Sequence, residues 1–320
     1  MPQTRTIVTA GEMLVEFVSH SRNCGLEKPG AYSGPYPSGA PAIFADQAAR
    51  MGARTAVFGG VGADGFGRSV LARLQGNGVD IGGVGVARDH TTGVAFVTYY
   101  DSGARRFIFH LDGTAATQFD IPLEGRDWGA TILHVSASSL GVAALRDQIM
   151  PAVDATMANG GWITCDPNMR PELMRDAAAM DAVHTVMEQS RWVMPSVEDI
   201  GLLFPGISED AAIDRMRATG AEIIAITRGG AGATIITPEA RYDFAGHKIT
   251  EIDPTGAGDC FCGTLVALLA QGVATEEAAR QANAAGAIAV TRRGPMEGNS
   301  TPAEIARFLE NSHAQKEAAK

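Results

Sequence analysis

Short apolar runs rich in β-branched residues alternate with amphipathic segments along most of the chain. The apolar runs predict buried strands at 6–10, 55–58, 132–135, 162–165, 192–194, 223–227 and 233–237. Segments with apolar residues at helical spacing predict helices at 42–51, 67–75, 142–159, 178–189, 209–219, 261–271, 275–291 and 302–312. Because strands buried on both faces alternate with helices, the pattern predicts an α/β fold with a mostly parallel central sheet between two helical layers.

Two segments, 14–38 and 92–111, break this alternation. In the second, apolar and polar residues alternate from Val94 to Phe109, which predicts a hairpin that turns at 101–103. We interpret both segments as strands of a small lid over a substrate site. No linker or change in composition divides the chain, so we expect one domain over 1–320 that carries these lid strands.

Composition narrows the classes of partner. The chain has 320 residues and a net charge of −10, and its lysines and arginines are scattered. A nucleic acid or an anionic membrane surface is therefore not expected as a partner. No apolar run is long enough to span a bilayer, and the first residues lead into a short strand rather than a signal peptide. We expect a cytoplasmic protein.

The four cysteines have neither zinc-ligand spacing nor the pattern of a disulfide framework. Cys260 and Cys262 lie beside a predicted helix start, where a thiol pKa can be lowered. A role as small buried helix residues is the alternative that we favour.

The loop 253–259, of sequence D-P-T-G-A-G-D, is followed at once by an apolar helix. Glycines allow successive N–H groups to point into one concavity, and a helix start adds free N–H groups and a positive dipole end. Asp259 is unexpected in such an anion site. The carboxylate could take a proton from an attacking hydroxyl while the N–H groups of Gly256, Ala257 and Gly258 hold the charge on the transferred group. The alternative is an ordinary capped helix start.

The run G-V-G-A-D-G at 60–65 fits the dinucleotide-binding pattern G-x-G-x-x-G. That motif requires an acidic residue that ends the next strand, whereas Asp80 opens its strand. The run also follows a later strand and not the first one. A nicotinamide or flavin enzyme is therefore disfavoured, and no P-loop sequence is present.

Taken together, these motifs resemble those of the PfkB (ribokinase-like) carbohydrate kinases. The loop 253–259 resembles the C-terminal signature, and 34–42 with 59–67 resembles the N-terminal one. The segment D-P-N-M-R at 166–170 resembles that of the fructokinase and 2-keto-3-deoxygluconate kinase branches, 227–232 the nucleotide loop, and 282–287 the helix beside the adenine. The resemblance covers about 6–310 in order. It implies a ribokinase-like three-layer α/β/α sandwich with a β-strand lid.

The resemblance also implies a reaction and its groups. Asp259 would deprotonate a sugar hydroxyl, and the 256–258 N–H groups would stabilise the γ-phosphoryl oxygens of ATP, with Mg²⁺ bridging the phosphates. It further implies a set of nucleotide-binding residues. These are Asn168, Ser196, Thr227, Arg228, Gly229, Gly232, Gly256, Gly258 and Asn283.

Metal sites are implied at two places. The family's N-x-x-E motif reads S-V-E-D at 196–199, so Asp199 would act on metal-bound water, the alternative being a helix-cap carboxylate. A monovalent cation such as K⁺ is implied near Asp253, Thr255 and the 290–298 loop. Gly298 stands near where many relatives place a serine.

Substrate contacts are implied for a third set of residues. Besides Asp259, these are Glu16, Gly39, Ala40, His110, Asp112 and Arg170. Glu16 replaces the usual aspartate and could instead be a solvated strand residue. Asp112 would repel a sugar acid, and His110 is mostly neutral at pH 7. Arg170 could bind a carboxylate or form a structural ion pair. We therefore predict a neutral ketohexose, tagatose or fructose.

Three functions stay open from the sequence. The first is an ATP-dependent ketose kinase, the second a 2-keto-3-deoxygluconate or nucleoside kinase, and the third a non-catalytic regulator that binds a nucleotide or a sugar. We also expect a homodimer, because lid strands of this kind protect their edges by pairing across a two-fold axis.

Overall fold

The computed structural model describes residues 5–102 and 104–318, and only the backbone of 313–318. Gly103 of the predicted turn lies outside the described residues, as do residues 1–4, on which the expectation about a signal peptide rests. Among the described residues the strands are β1 (Thr6–Ala10), β2 (Leu14–Ser19), β3 (Tyr32–Ser38), β4 (Thr55–Gly62), β5 (Asp80–Ala87), β6 (Gly93–Tyr99), β7 (Arg105–His110), β8 (Thr131–Ser136), β9 (Trp162–Asp166), β10 (Trp192–Val193), β11 (Ile223–Thr227), β12 (Gly232–Ile236) and β13 (Arg241–Ala245). The helices are α1 (Ala40–Arg50), α2 (Gly65–Gly76), α3 (Ala143–Ala158), α4 (Ala177–Gln189), α5 (Val197–Leu203), α6 (Glu209–Ala218), α7 (Ala257–Ala270), α8 (Thr275–Ala289) and α9 (Pro302–Ala318).

Nine strands form the central sheet, in the order β13-β12-β11-β10-β9-β8-β1-β4-β5. All neighbours are parallel except the pairs β11–β12 and β12–β13. Strand β1 is third from the β5 edge, with Ile7 opposite Thr55 on one side and Ile132 on the other. The carboxyl ends of the parallel strands therefore meet at one edge of the sheet, where the loops that follow them can form a site.

Two apolar cores cover the two faces of this sheet. One contains Val8, Leu133 and Ile163 together with residues of α3, α4 and α6. The other contains Ile7 and Ile132 together with residues of α1, α7, α8 and α9. The predicted three-layer α/β/α arrangement is confirmed. Successive strand residues point to opposite faces, so each β-branched run supplies both cores.

A second sheet of four strands has the order β3-β2-β6-β7. Its strands fall in the two segments, 14–38 and 92–111, that break the α/β alternation. Strand β6 pairs in parallel with β2 and antiparallel with β7, and Tyr99 lies opposite Arg105 beside the hairpin turn. Val18, Val97 and Tyr99 form a small apolar cluster in this sheet.

The glycine-rich run at 60–65 has a packing role. A side chain at Gly60 would place its Cβ 2.0 Å from the carbonyl oxygen of Ala115. Asp64 caps α2 by accepting a hydrogen bond from the N–H of Gly67. Asp80 opens β5, as expected. Packing and helix capping therefore account for Gly60 and Asp64 in this run without a bound dinucleotide.

Cys260 and Cys262 are buried in α7, as expected. Burial raises the pKa of both thiols, so neither is a reactive thiolate. Within the described residues, no helix is both long and apolar enough to cross a membrane.

Candidate active site

A cavity of about 540 Å³ opens at the carboxyl ends of the parallel strands. The loops after β9 and β10 contribute Asn168 and Ser196 to its lining, and β11 contributes its last residue, Thr227. The start of α7 contributes Asp259, and the small sheet contributes Arg105. One cavity therefore brings together the loop 253–259, the segment 166–170 and the predicted nucleotide loop.

Gly256 sets the shape of the loop 253–259. It precedes α7 with φ of 78°, a left-handed conformation that disfavours residues with a side chain. A Cβ on Gly256 would also lie 2.2 Å from the carbonyl oxygen of Pro295. Ala257, Gly258 and Asp259 then form the first turn, where backbone N–H groups have no acceptor within the helix. The N–H of Ala257 donates to the carbonyl oxygen of Pro254 at 3.4 Å, and Gly256, Ala257 and Gly258 all line the cavity.

Asp259 is a buried carboxyl group, 7% exposed, at the edge of this cavity. The side-chain amide of Asn168 donates to its Oδ1 at 3.3 Å and to the hydroxyl of Ser136 at 3.0 Å. Burial raises the pKa of Asp259 to about 7, with Arg170 lowering it and Glu12 raising it. A carboxyl group with this pKa can accept a proton near neutral pH.

The segment after β9 is held by its own side chains. Asn168, with φ of 40°, donates its backbone N–H to Asp166 at 3.0 Å. Burial raises the pKa of Asp166 well above its ordinary value, and the nearby Asp199 and Asp259 add to the shift. Arg170 lines the cavity, donates to the carbonyl oxygen of Met169 at 3.1 Å and lies 5.9 Å from the Phe107 ring centre. Asn168 and Arg170, two of the predicted site residues, therefore lie in the same cavity as Asp259.

Ser196 and Asp199 form a capping box at the start of α5. Oδ2 of Asp199 accepts from the N–H of Ser196 at 2.8 Å, and Oδ1 accepts from the N–H of Met169 at 2.7 Å. Asp199 therefore acts as a helix-cap carboxylate, as the alternative interpretation predicted. Ser196 and Asp199 also line the cavity. Among the described residues no cluster of three His, Cys, Asp or Glu could enclose a metal ion.

Of the predicted nucleotide-binding residues, some line the cavity and one does not. Thr227, Gly229, Gly232 and Asn283 line the cavity. The side chain of Arg228 does not line it, because its guanidinium donates to both carboxylate oxygens of Glu209.

At the small-sheet side, Glu16 is buried in β2 and accepts a hydrogen bond from Ser38 at 3.4 Å. Its other oxygen has no hydrogen-bond partner among the described residues. Burial raises the pKa of Glu16 to about 8, and Asp253 adds to the shift. Gly39 and Ala40 form the start of α1, close to the buried carboxylate of Glu12. The solvated alternative for Glu16 is therefore wrong.

His110 and Asp112 are exposed and do not line the cavity. Arg105, Phe107 and Phe109 share one face of β7, whereas His110 occupies the opposite face because side chains alternate along a strand. The structure does not bring His110 and Asp112 beside Asp259, and their contact with a sugar stays a prediction.

Asp253 and Thr255 are engaged by protein donors. Oδ1 of Asp253 accepts hydrogen bonds from the hydroxyl of Tyr99 and from the N–H of Thr255. Oδ2 accepts from the N–H of Gly294 at 2.9 Å. The Thr255 hydroxyl is bonded to Tyr99 as well. Both side chains therefore have protein partners, and a monovalent cation near Asp253 and Thr255 stays a prediction.

Sequence reasoning missed three residues of this site: Glu12, Tyr99 and Arg105. Glu12 is buried and acts electrostatically on Asp259. Arg105 repels Arg170 and attracts Asp259 and Glu16. The alternation along β7 was a signal for Arg105, since it shares a face with Phe107. Nothing in the local sequence marks the Tyr99 contact, which joins positions 154 residues apart.

The chain is similar to known carbohydrate kinases over most of its length. A family model described as "pfkB family carbohydrate kinase" matches residues 4–302. Fructokinase-1 from Oryza sativa subsp. japonica is 29% identical over 97% of this chain and 99% of its own length. A fructokinase from Salmonella typhimurium is 30% identical over 89% of this chain and 93% of its own length.

Among solved structures, a putative ribokinase II from E. coli in complex with ATP and Mg²⁺ is 38% identical to this chain with a TM-score of 0.87, over 96% of this chain and 99% of the other. A double mutant of a fructokinase from Vibrio cholerae O395, with bound fructose, ADP and a potassium ion, is 26% identical with a TM-score of 0.82, over 96% of this chain and 99% of the other. The ribokinase-like fold that the motifs implied is thereby confirmed.

Proposed function

The chain belongs to the pfkB family of carbohydrate kinases and is an ATP-dependent carbohydrate kinase, and we propose that it phosphorylates a hydroxyl of a neutral ketohexose of the fructose or tagatose type. The observation that carries this proposal is the buried Asp259, whose pKa is about 7, at the start of α7 in the cavity. The fructokinases among its relatives support a ketohexose as the acceptor.

In this proposal Asp259 is the general base. Its carboxylate takes the proton of the sugar hydroxyl while the hydroxyl oxygen forms a bond to the γ-phosphorus. The bond from that phosphorus to the bridging oxygen breaks, and ADP leaves with the electron pair. Asn168, 3.3 Å from Asp259, orients the carboxylate toward the hydroxyl. Arg170 favours the ionised form of Asp259.

The N–H groups of Gly256, Ala257 and Gly258 act as the anion hole. These residues lie at the positive end of α7 and line the cavity, which supports a role of their N–H groups in stabilising charge that develops on the phosphoryl oxygens. Their positions are fixed by the left-handed Gly256 before the reaction begins. Pre-organised donors of this kind avoid the cost of reorientation in the transition state.

ATP binds along Thr227, Gly229, Gly232 and Asn283, which line the cavity from β11, β12, the loop between them and α8. Mg²⁺ bound to ATP would neutralise phosphate charge. Glu198 and Asp199 line the same cavity and fit an ion that keeps most of its waters, which is how Mg²⁺ is usually held. Ser196 and Asn168 complete the set of groups that we assign to the nucleotide side.

The sugar binds between Asp259 and the small sheet. Glu16, with one unpartnered buried oxygen, accepts a hydrogen bond from a sugar hydroxyl. Gly39 and Ala40 approach the sugar through their backbone, and the strands β2, β3, β6 and β7 act as the lid. These assignments, together with His110 and Asp112, are part of the proposal.

A sugar acid is a second candidate, because Arg105 and Arg170 both line the cavity. Neither has a carboxylate within salt-bridge distance among the described residues. The nearby acids Asp259 and Glu16 have raised pKa values of about 7 and 8, so they neutralise these arginines only in part. A ligand carboxylate would relieve the repulsion between the two guanidinium groups.

We further propose a cytoplasmic homodimer that forms through the small sheet. Phe17 and Phe96 stack with ring centres 5.3 Å apart on one face of that sheet, and Ile108 on β7 is 53% exposed. Exposed apolar surface of this kind favours association. Sedimentation equilibrium should give a dimer for the wild type and a monomer for Ile108→Lys. A monomeric wild type would contradict this part.

An ADP-release screen with Mg²⁺ tests the proposed substrate. The panel contains fructose, tagatose, 2-keto-3-deoxygluconate and nucleosides, each with and without K⁺. We expect kcat/KM for a ketohexose to exceed that for the sugar acid by at least about tenfold. The reverse order would favour the second candidate, and Arg105→Gln should then lower turnover of the acid but not of the ketose. ADP release with no member of the panel would refute both.

A further inference from the structure

Tyr99 forms a direct link between the small sheet and the loop 253–259. It is the last residue of β6 and is buried with Val18 and Val97. Its hydroxyl donates to Oδ1 of Asp253 and is hydrogen-bonded to the hydroxyl of Thr255. Among the described residues, these are the only hydrogen bonds between a strand of the small sheet and this loop.

Asp253 connects Tyr99 to two further segments, which contain Thr255 and Gly294. The carboxylate, 1% exposed, also accepts the N–H of Thr255 at 3.0 Å and the N–H of Gly294 at 2.9 Å. Thr255 directly precedes Gly256, on which the conformation of the anion hole depends. The segment that contains Gly294 packs against Gly256 through the carbonyl of Pro295. A displacement of Asp253 would therefore move both segments that frame the anion hole.

We propose that Tyr99 is a positioning residue. Its hydroxyl, acting through Asp253, holds the loop 253–259 in the conformation for phosphoryl transfer and couples that loop to the position of the small sheet over the cavity. The proposal rests on the proposed function, because it assigns Tyr99 a part in the same reaction. Tyr99 does not touch the reacting atoms. Its effect reaches them through Asp253, Thr255 and the N–H groups that follow.

A double-mutant cycle on Tyr99 and Asp253 tests the proposal. Tyr99→Phe removes the hydroxyl but keeps the ring in its apolar cluster, and Tyr100→Phe is the matched control, since no hydrogen bond involves its hydroxyl among the described residues. We expect Tyr99→Phe to lower kcat about tenfold and to change KM for ATP less than twofold. In an Asp253→Asn background the same change should cost less than twofold, because the acceptor is already impaired.

Two results of the cycle would overturn the proposal. One is a kcat for Tyr99→Phe within twofold of the wild type. The other is an equal tenfold loss in both backgrounds, which would mean that the Tyr99 hydroxyl acts independently of Asp253. Thermal unfolding of each variant separates a loss of folded protein from a loss of turnover per folded molecule.

A binding measurement without turnover distinguishes this proposal from the proposed function. Aluminium fluoride with MgADP imitates the phosphoryl group in transfer. For Tyr99→Phe we expect the Kd of MgADP to stay within twofold and the Kd with aluminium fluoride to rise about tenfold, with Tyr100→Phe unchanged in both. Equal values for Tyr99→Phe and the wild type would overturn the inference, as would a wild type that gains no affinity from aluminium fluoride. A wild type that passes this assay but phosphorylates no sugar would refute the proposed function alone.

Discussion

Replacement of Gly256 by alanine should damage both stability and catalysis. At φ of 78° an alanine costs about 1 kcal/mol more than glycine. Its Cβ would lie 2.2 Å from the carbonyl oxygen of Pro295, whereas an ordinary contact begins near 3.4 Å, so one of the two segments must move by about 1 Å. Together these effects should destabilise the fold by about 2–4 kcal/mol.

The loss of stability predicts a lower Tm, and the displacement of the loop predicts a lower kcat. An unfolding entropy of roughly 2 cal/mol/K per residue gives a fall in Tm of about 3–6 °C for 320 residues. A displacement of about 1 Å in the anion hole should lower kcat about 10²-fold. Differential scanning calorimetry and ADP release with saturating substrates measure the two effects.

Gly258→Ala is the matched control. No atom lies within 4 Å of a Cβ at Gly258, and alanine is favoured over glycine in a helix by about 0.5–1 kcal/mol. We expect its Tm to be unchanged or slightly higher. Because Gly258 lines the cavity, its KM values should rise. A Gly256→Ala variant with Tm within 1 °C and kcat within threefold of the wild type would refute the reasoning.

The remaining predictions concern titration and binding. Because burial raises the pKa of Asp259 to about 7, turnover should rise with pH to a plateau above 7, and a rate independent of pH from 5 to 8 would contradict the base assignment. The folded state holds this proton more tightly than the unfolded state, so stability is lost as pH rises from about 4 through 7. Asp259→Asn should thus have a higher Tm than the wild type at pH 8 and an equal one at pH 4, as thermal melts at both values can check. Glu16→Gln should raise KM for the sugar at least about tenfold and leave KM for ATP unchanged, in steady-state kinetics; an unchanged sugar KM would remove Glu16 from the site. Arg228→Gln should change KM for ATP less than threefold, since Glu209 already binds its guanidinium; a tenfold rise would mean that Arg228 contacts the nucleotide.

The parallel core and the chemistry at its edge could be predicted from local sequence. Continuous apolar runs identify strands that are buried on both faces, such as β1 and β8, because nothing else places so many β-branched residues together. The loop 253–259 carries its own glycines, carboxylate and helix, so its geometry follows from adjacent residues. The strands β5 and β13 were missing from the predicted set, since they lie at the edges of the sheet and are partly exposed.

Contacts between distant segments account for what was missed. Tyr99 looks like any strand residue until the small sheet places its hydroxyl on Asp253. Arg105 lies near a hairpin turn, where a charged residue is ordinarily solvated, and enters the cavity only because β7 is aligned by its pairing with β6. The family resemblance implied a substrate contact for Asp112, which follows the end of β7 and is exposed.

The role of Asp259 is tested most directly by ADP release from Asp259→Asn. The assay uses Mg²⁺, ATP and the best sugar of the screen at pH 8. The control is Asp214→Asn, since Asp214 is exposed and does not line the cavity. We predict that Asp259→Asn loses about 10²- to 10⁴-fold in kcat while its Kd for MgADP stays within threefold, and that Asp214→Asn matches the wild type. A kcat for Asp259→Asn within tenfold of the wild type would contradict the assignment of Asp259 as the general base.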